Sequence, residues 1–264
     1  MKNVSLLNEL NNELPTFGVL GVPGTGKTTV SRKIGEMLGR EVVGVDATLK
    51  QKTMDKRGCL PKDIINNEGE LEWRKYEKEL LMNDFDIKDK SVLDFGGFGS
   101  YDIGYKEVFD KLKENNVQTV FLNNDIAVSI KHLKGFDPEA VNPITGEKGY
   151  ENWARRSGYV KDAKKAVEEG KTLEEGWIAR HKGTLKRVDF IYSKANYTLD
   201  LNGIDWSVDS IAKKVIMMIA INNLEKTEKY DKLFAGWKKD FDKEVQSPNA
   251  TETLPLENIA QNQR

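Results

Sequence analysis

Residues Gly21 to Thr28 read GVPGTGKT, and their types and spacing are those of a loop that wraps phosphates. Gly21, Gly24 and Gly26 let the backbone curl so that successive N–H groups point inward at phosphate oxygens. A helix opening near Gly26 adds its positive N-terminal end. Lys27 then reaches the β- and γ-phosphates, and the Thr28 hydroxyl is a magnesium ligand. Thr25 and Thr29 complete the residues expected against the triphosphate. An apolar run, Phe17–Leu20, precedes the loop and a helix-periodic run follows it, the strand–loop–helix setting that such a loop requires. The expected cofactors are ATP and Mg2+.

Moving a phosphoryl group onto an alcohol needs more than this clamp. A carboxylate must take the hydroxyl proton, and positive groups must hold the acceptor. Asp46, ending an apolar run, is the candidate base; the same residue type also caps a helix after a strand. Arg74, inside GELEWRKYE, is a candidate acceptor anchor, and it is equally spaced to pair with Glu70 or Glu77 on its own helix. Asp94 ends another apolar run and reads either as a magnesium-holding aspartate or as a buried loop cap. Gly96 and Gly97 follow it; they allow backbone N–H groups to approach an acceptor closely or serve only the turn. Arg187 is a second candidate anchor or a surface cation among Lys182, Lys186 and Lys194.

In this order the features resemble shikimate kinase. That family follows its phosphate loop with an aspartate ending strand two, a GExxFRxxE helix, a strand ending in three glycines, and an arginine ahead of an LYxxxA element. The resemblance covers about 17–133 and 173–222. It implies that Asp46 contacts the substrate hydroxyls and acts as base, that Arg74 and Arg187 bind a substrate carboxylate, and that Gly96 and Gly97 stand for the first two of the three glycines. It also places Asn202 and Trp206, in LDLNGIDW, on the adenine-contacting loop. Several positions depart from the family: about four extra residues lie between Asp46 and Gly58, Phe98 breaks the glycine triplet, and Asp189 and Tyr192 disturb the second arginine's element. The short arginine–proline–leucine lid is absent. A long insertion, about 134–172, stands in its place, with Tyr150, Trp153, Arg155, Arg156 and Tyr159. Read as a mobile lid, it brings Arg155 or Arg156 to the phosphates as catalytic cations. Read as a helical excursion, it packs Trp153 and leaves both arginines in solvent.

The elements that must position these residues alternate. Strands are expected at Phe17–Leu20, Glu41–Asp46, Ser91–Phe95, Thr119–Asn123 and Tyr197–Leu201. Helices are expected to begin near Lys27, Gly69, Gly104, Ile126 and Leu173, with another from Ser207 to Asn222. Short apolar runs separated by helices imply an α/β doubly wound parallel sheet of about five strands with helices on both faces. The expected kinase domain is 1–224. Beyond it, 225–245 reads as a peripheral charged helix carrying Trp237 and Phe241, and 246–264 as a largely disordered tail.

Composition excludes some classes. The 41 lysines and arginines nearly balance 42 aspartates and glutamates, so no global field draws nucleic acid or an anionic membrane. One cysteine, Cys59, rules out an internal disulfide and reads as a buried small residue. No apolar run approaches a membrane span, and a cytoplasmic protein is expected. The function expected is ATP-dependent phosphorylation of a small, anionic, hydroxylated metabolite, shikimate first among them. A nucleotide or nucleic-acid-end kinase, and a nucleotide-dependent switch using Trp237 to bind a partner, remain open beside it. The oligomeric state is not legible.

Overall fold

Five short apolar runs lie side by side as one parallel sheet in the computed structural model, which describes residues 2–96, 105–124, 126–202, 206–225 and 227–245, with side chains for all of these but 2–4, 126–127, 157, 185, 187–192 and 245. In chain order the first elements are α1 (Lys2–Glu13), β1 (Phe17–Leu20), α2 (Lys27–Leu38), β2 (Val42–Gly44), α3 (Val45–Arg57), α4 (Pro61–Asn67), α5 (Glu70–Asn83) and β3 (Val92–Asp94). Then come α6 (Tyr105–Glu114), β4 (Gln118–Asn123), α7 (Ile126–Leu133), β5 (Phe136–Val141), β6 (Lys148–Glu151), α8 (Ser157–Glu168), α9 (Leu173–Tyr192), β7 (Tyr197–Asp200), α10 (Val208–Asn223) and α11 (Asp231–Val245). The sheet order is β2-β3-β1-β4-β7. The strand that feeds the glycine loop, β1, is therefore central, paired with β3 through Val19↔Asp94 and with β4 through Leu20↔Phe121.

Side chains alternate across the strands, so each strand feeds two cores. Phe17, Val19, Val92, Val120 and Leu122 face the cluster built with α1, α2, α10 and α11. Leu20, Leu93 and Phe121 face the other, built with α3, α5 and α6. Burial of each large apolar side chain contributes about 1.5–3 kcal/mol. Arg40, just past α2, fastens the end of α1 by donating to the carbonyl of Asn11 in its last turn (2.6 Å), which an α-helix leaves unpaired, and to those of Leu14 (2.8 Å) and Pro15 (2.6 Å) just beyond it.

Three expectations change here. The second strand stops at Gly44, and Asp46 lies in the first turn of α3, because the apolar run continues into a helix whose buried face is Val45, Leu49 and Thr53. The charged segment after 225 is not peripheral: α11 is amphipathic, and Leu233, Phe234, Trp237 and Phe241 belong to the principal core. Trp237 is 6% exposed and offers no handle to a partner. Cys59 is free and only half-buried. The proposed tail, 246–264, lies outside the described residues, as do Gly97, Phe98 and the side chain of Arg187.

The insertion is not a loop either. It contains the antiparallel β5–β6 hairpin, one turn of 3-10 helix at Asn152–Arg155, and α8 packed on α9. Leu133, Trp153, Tyr159, Ala163 and Trp177 form a third, separate core, in which Trp153 and Trp177 stack with ring centroids 6.4 Å apart. Pro143 and Gly146 mark the hairpin turn: Asn142 Oδ1 accepts from the backbone of Ile144 and Thr145, and Gly146 takes φ 76°.

Candidate active site

The loop between β1 and α2 turns through two left-handed residues, Gly24 (φ 87°) and Gly26 (φ 82°), conformations that a Cβ disfavours. At Gly24 a Cβ would also stand 2.5 Å from the Ser129 carbonyl oxygen of α7. The Thr25 hydroxyl donates to the Val22 carbonyl at 2.9 Å and closes the loop on itself. Nδ1 of His132, on α7, lies 2.7 Å from the Gly24 carbonyl oxygen; because a carbonyl only accepts, this nitrogen carries the proton.

Lys27 is 9% exposed. Burial pushes its ammonium below the ordinary lysine range; Asp46 opposes that, Arg156 adds to it, and Asp94 opposes it again. Four elements thus bring their charges to one place. The Thr28 hydroxyl bonds to the Asp94 carboxylate, whose affinity for a proton is raised by burial and by Asp46 and lowered by Thr28 and Lys27. Asp94 Oδ1 is buried with no hydrogen-bond partner. Beyond β3 the backbone passes directly beneath Asp46: a Cβ on Gly96 would fall 1.6 Å from Asp46 Oδ2.

A cavity of about 440 Å³ opens over the loop. Its lining combines polar residues, Gly24 to Thr29, Asn124, His132 and Arg156, with apolar ones, Val30, Val128, Leu201, Trp206, Val208 and Ile211. Asn202 is in the turn after β7, where its N–H takes Asp200 Oδ1 at 3.1 Å, and it is not among the lining residues.

On the other side of Asp46, Arg74 of α5 is held by a bidentate pair with Glu77 (3.0 and 2.9 Å) and by Glu70 at 3.5 Å. Tyr105 donates to the same Glu77 carboxylate. Burial raises the Glu77 carboxyl above its usual range, with Arg74 and Tyr105 pulling it back down. Burial alone would lower the Arg74 guanidinium; Glu77, Tyr105 and Glu70 outweigh it and hold the charge firmly in place. Arg74 Nε is nonetheless buried without a partner. Arg180 of α9 joins the set through Glu70 at 3.7 Å and Asp162 at 3.7 Å.

The family model for shikimate kinase matches residues 23–182, more than half of the chain. The chain belongs to the shikimate kinase family. Among curated shikimate kinases, that of Bacillus cytotoxicus is 35% identical over 79 residues, 30% of this chain and 45% of the relative. That of Persephonella marina is 29% identical over 119 residues, 45% of this chain and 67% of the relative. The chain spans less than half the length of the first and two thirds of the second. The fold agrees with shikimate kinase from Acinetobacter baumannii, solved with shikimate, at a TM-score of 0.56 and 23% identity over 84% of this chain and 99% of that one. It agrees also with the shikimate kinase of Bacteroides thetaiotaomicron, at 0.53 and 16% over 77% and 97%.

Within this shikimate kinase fold the insertion divides its two arginines. Arg155 pairs with Asp137 of the hairpin at 2.6 Å, whereas Arg156 lines the cavity beside the glycine loop. Sequence reasoning missed His132 and Arg180. Each reaches a partner more than a hundred residues away, Gly24 and Glu70, and no spacing rule links such pairs. The buried position of Trp177 beside Trp153 was equally silent, since no single segment contains the third core.

Proposed function

We propose that this protein is an ATP-dependent kinase that transfers the γ-phosphoryl group to a hydroxyl of a small anionic metabolite, with shikimate as the leading acceptor. The observation that carries it is the meeting of Lys27, Asp46 and Asp94 at the end of a phosphate-binding loop, where both carboxylates act on the Lys27 charge. Family membership and the shikimate-bound state of the Acinetobacter relative support the choice of acceptor.

In this reading the backbone N–H groups of Gly24 to Thr28 and the Lys27 ammonium hold the phosphates. Thr28 and Asp94 fit a magnesium ion: a hydroxyl beside a carboxylate with one unpartnered buried oxygen is the donor set from which such ions are held together with water and phosphate. Among the described residues no cluster of three histidine, cysteine or acidic side chains stands ready as an all-protein cage, which suits a cation shared with phosphate. When bound, the ion neutralises charge on the β- and γ-oxygens.

Asp46 takes the proton of the acceptor hydroxyl as that oxygen forms its bond to the γ-phosphorus, and the bond to the β-phosphate oxygen breaks to leave ADP. Gly96 leaves room for the Asp46 carboxylate, since any side chain there would occupy its position. Arg74, already fixed by Glu77 and Glu70, presents a rigid cation to an acceptor carboxylate. Arg187 and Gly97 are assigned to the acceptor on the family pattern alone. Arg156 supplies charge to the transferring phosphoryl group, and the segment 134–172 acts as the lid that carries it.

The decisive experiment measures ADP release with ATP and Mg2+ across a library of hydroxylated acids, with and without shikimate. Acceleration by shikimate supports the named acceptor; acceleration by another acid keeps the kinase and replaces the acceptor. Acceleration only by nucleotides or polynucleotide ends favours the nucleic-acid-end kinase. Absence of any accelerating acceptor, beside a nucleotide-dependent partner, would favour the switch.

A further inference from the structure

Trp206 lines the cavity and also packs against Phe241 of the C-terminal helix. Lys214 Nζ, on α10, lies 4.1 Å from the centroid of the Trp206 ring and 4.2 Å from that of Phe241 on α11. The two rings meet edge to face at 6.3 Å and 88°. Lys214 is 5% exposed, so this cation is enclosed between two aromatic faces, where such contacts are strongest. The residue after Trp206 is fixed from the same helix: Glu244 accepts from the Ser207 hydroxyl at 2.5 Å, from its N–H at 3.2 Å, and from the Ser210 hydroxyl at 2.6 Å. Ser207 is itself the N-cap of α10. Further along, Lys213 joins Asp240 of α11 at 2.8 Å. All of these residues lie beyond the segment matched by the family model, which ends at 182.

We propose that α11 is a positioning element of the nucleotide site: through Phe241, Lys214 and Glu244 it holds the Trp206 indole as the wall against which the base of the nucleotide stacks. This rests on the reading of the glycine loop as a triphosphate site and adds to it the residues that decide how well the base is gripped. An aromatic plane lining the same cavity as a phosphate cradle matches a base joined to a triphosphate, because bases stack on indole whatever their hydrogen-bonding edge. Lys214 occupies the ring from the protein side. Phe241 meets the indole edge to face, and Glu244 fixes the adjoining Ser207. Lys214, Phe241 and Glu244 touch no phosphate-loop residue among their described contacts, so their effect reaches the ligand through Trp206.

The test compares two probes on the full chain by calorimetry, MgATP and inorganic tripolyphosphate with Mg2+. Tripolyphosphate has the phosphates without the base. Phe241→Leu, Glu244→Gln and Trp206→Ala are each expected to weaken ATP roughly ten-fold, the scale of one lost stacking contact, and to leave tripolyphosphate unchanged. Combining Trp206→Ala with Phe241→Leu should weaken ATP no further than Trp206→Ala alone, because both remove one wall. Equal weakening of both probes would mean that α11 only supports the fold, and unchanged ATP affinity in Phe241→Leu and Glu244→Gln would mean that it does not act on the site; either result overturns the proposal. Lys27→Ala should weaken both probes together. If the unaltered protein binds neither probe, the triphosphate site itself is refuted, which is a different failure from indifference to α11.

Discussion

Asp46 and Gly96 occupy each other's space: the carboxylate of one stands where the side chain of the other would begin, 1.6 Å from an ideal Cβ. Two elements, the first turn of α3 and the end of β3, are thereby locked in register by the absence of a side chain. Gly96→Ala must displace the carboxylate. It is expected to lower kcat by as much as Asp46→Asn does, about 10²–10⁴-fold, with little change in the KM for ATP. The double variant should be no slower than either single one. Steady-state rates with saturating acceptor check this, and a Gly96→Ala protein with normal turnover would remove Asp46 from the reaction.

Arg155 and Arg156 are adjacent and differ in surroundings, the first paired with Asp137 and the second lining the cavity. Arg156→Ala should slow phosphoryl transfer by about 10²-fold or more while leaving ATP affinity close to normal, since a charge at the transferring group acts on the transition state. Arg155→Ala should leave transfer unchanged, because its partner is Asp137 on the hairpin. Single-turnover rates of the two variants provide the comparison; equal losses in both would contradict it.

In the proposed function the Thr28–Asp94 pair holds the magnesium ion. Asp94→Asn should raise the Mg2+ concentration needed for half-maximal ADP release by about ten-fold or more, with tripolyphosphate still bound in the absence of metal through Lys27 and the loop N–H groups. A magnesium titration at fixed ATP measures it.

Arg74 is paired with Glu77 and is proposed to bind the acceptor carboxylate, and its substitution separates the two. Arg74→Lys keeps a charge but loses the fork that fits a carboxylate. The acceptor KM should rise more than ten-fold with kcat largely kept. Glu77→Gln leaves Arg74 buried without its main counter-charge and should cost about 3–5 kcal/mol in chemical denaturation. An Arg74→Lys variant with normal KM and lowered stability would reduce Arg74 to a structural ion pair.

His181 gives the third core an acid limit. It is fully buried, Tyr159 meets its Nδ1 at 2.9 Å, and burial together with Arg156 pushes it down to about 4. The unfolded chain takes up this proton near pH 6.5 and the folded chain only near 4. Between those values the unfolded state binds more protons, so stability is lost as pH falls through the window, on the order of 3 kcal/mol in all. Above pH 6.5 this contribution is constant. Thermal denaturation from pH 7 to 4 should therefore fall less steeply for His181→Phe than for the unaltered protein.

The central strands β1 and β3 were legible because they are buried on both faces and so read as unbroken apolar runs, and the glycine loop because its geometry dictates its residues. Asp46 was found on the wrong element: Val45 continues the apolar run of Glu41–Gly44, and nothing local marks where strand becomes helix. Arg74 and its two glutamates were legible from helical spacing. Arg156 was not separable from Arg155 in the sequence, since only the fold of the hairpin gives Asp137 to one of them. The insertion looked like a loop because Pro138, Pro143, Gly146 and Gly149 punctuate it, while the aromatic residues that give it a core come from three elements.

The principal core draws Leu10 and Leu14 from α1 and Leu233, Phe234, Trp237 and Phe241 from α11, and Glu13 is paired with Lys229 across the same seam. A ribosome delivers α1 more than two hundred residues before the partners that enclose it. The glycine loop, made early, consequently waits on a helix made late, and a nascent chain halted before Asp231 should remain open to proteases and unable to retain ATP. Synthesis order, rather than the local strength of the loop, then times the appearance of nucleotide binding.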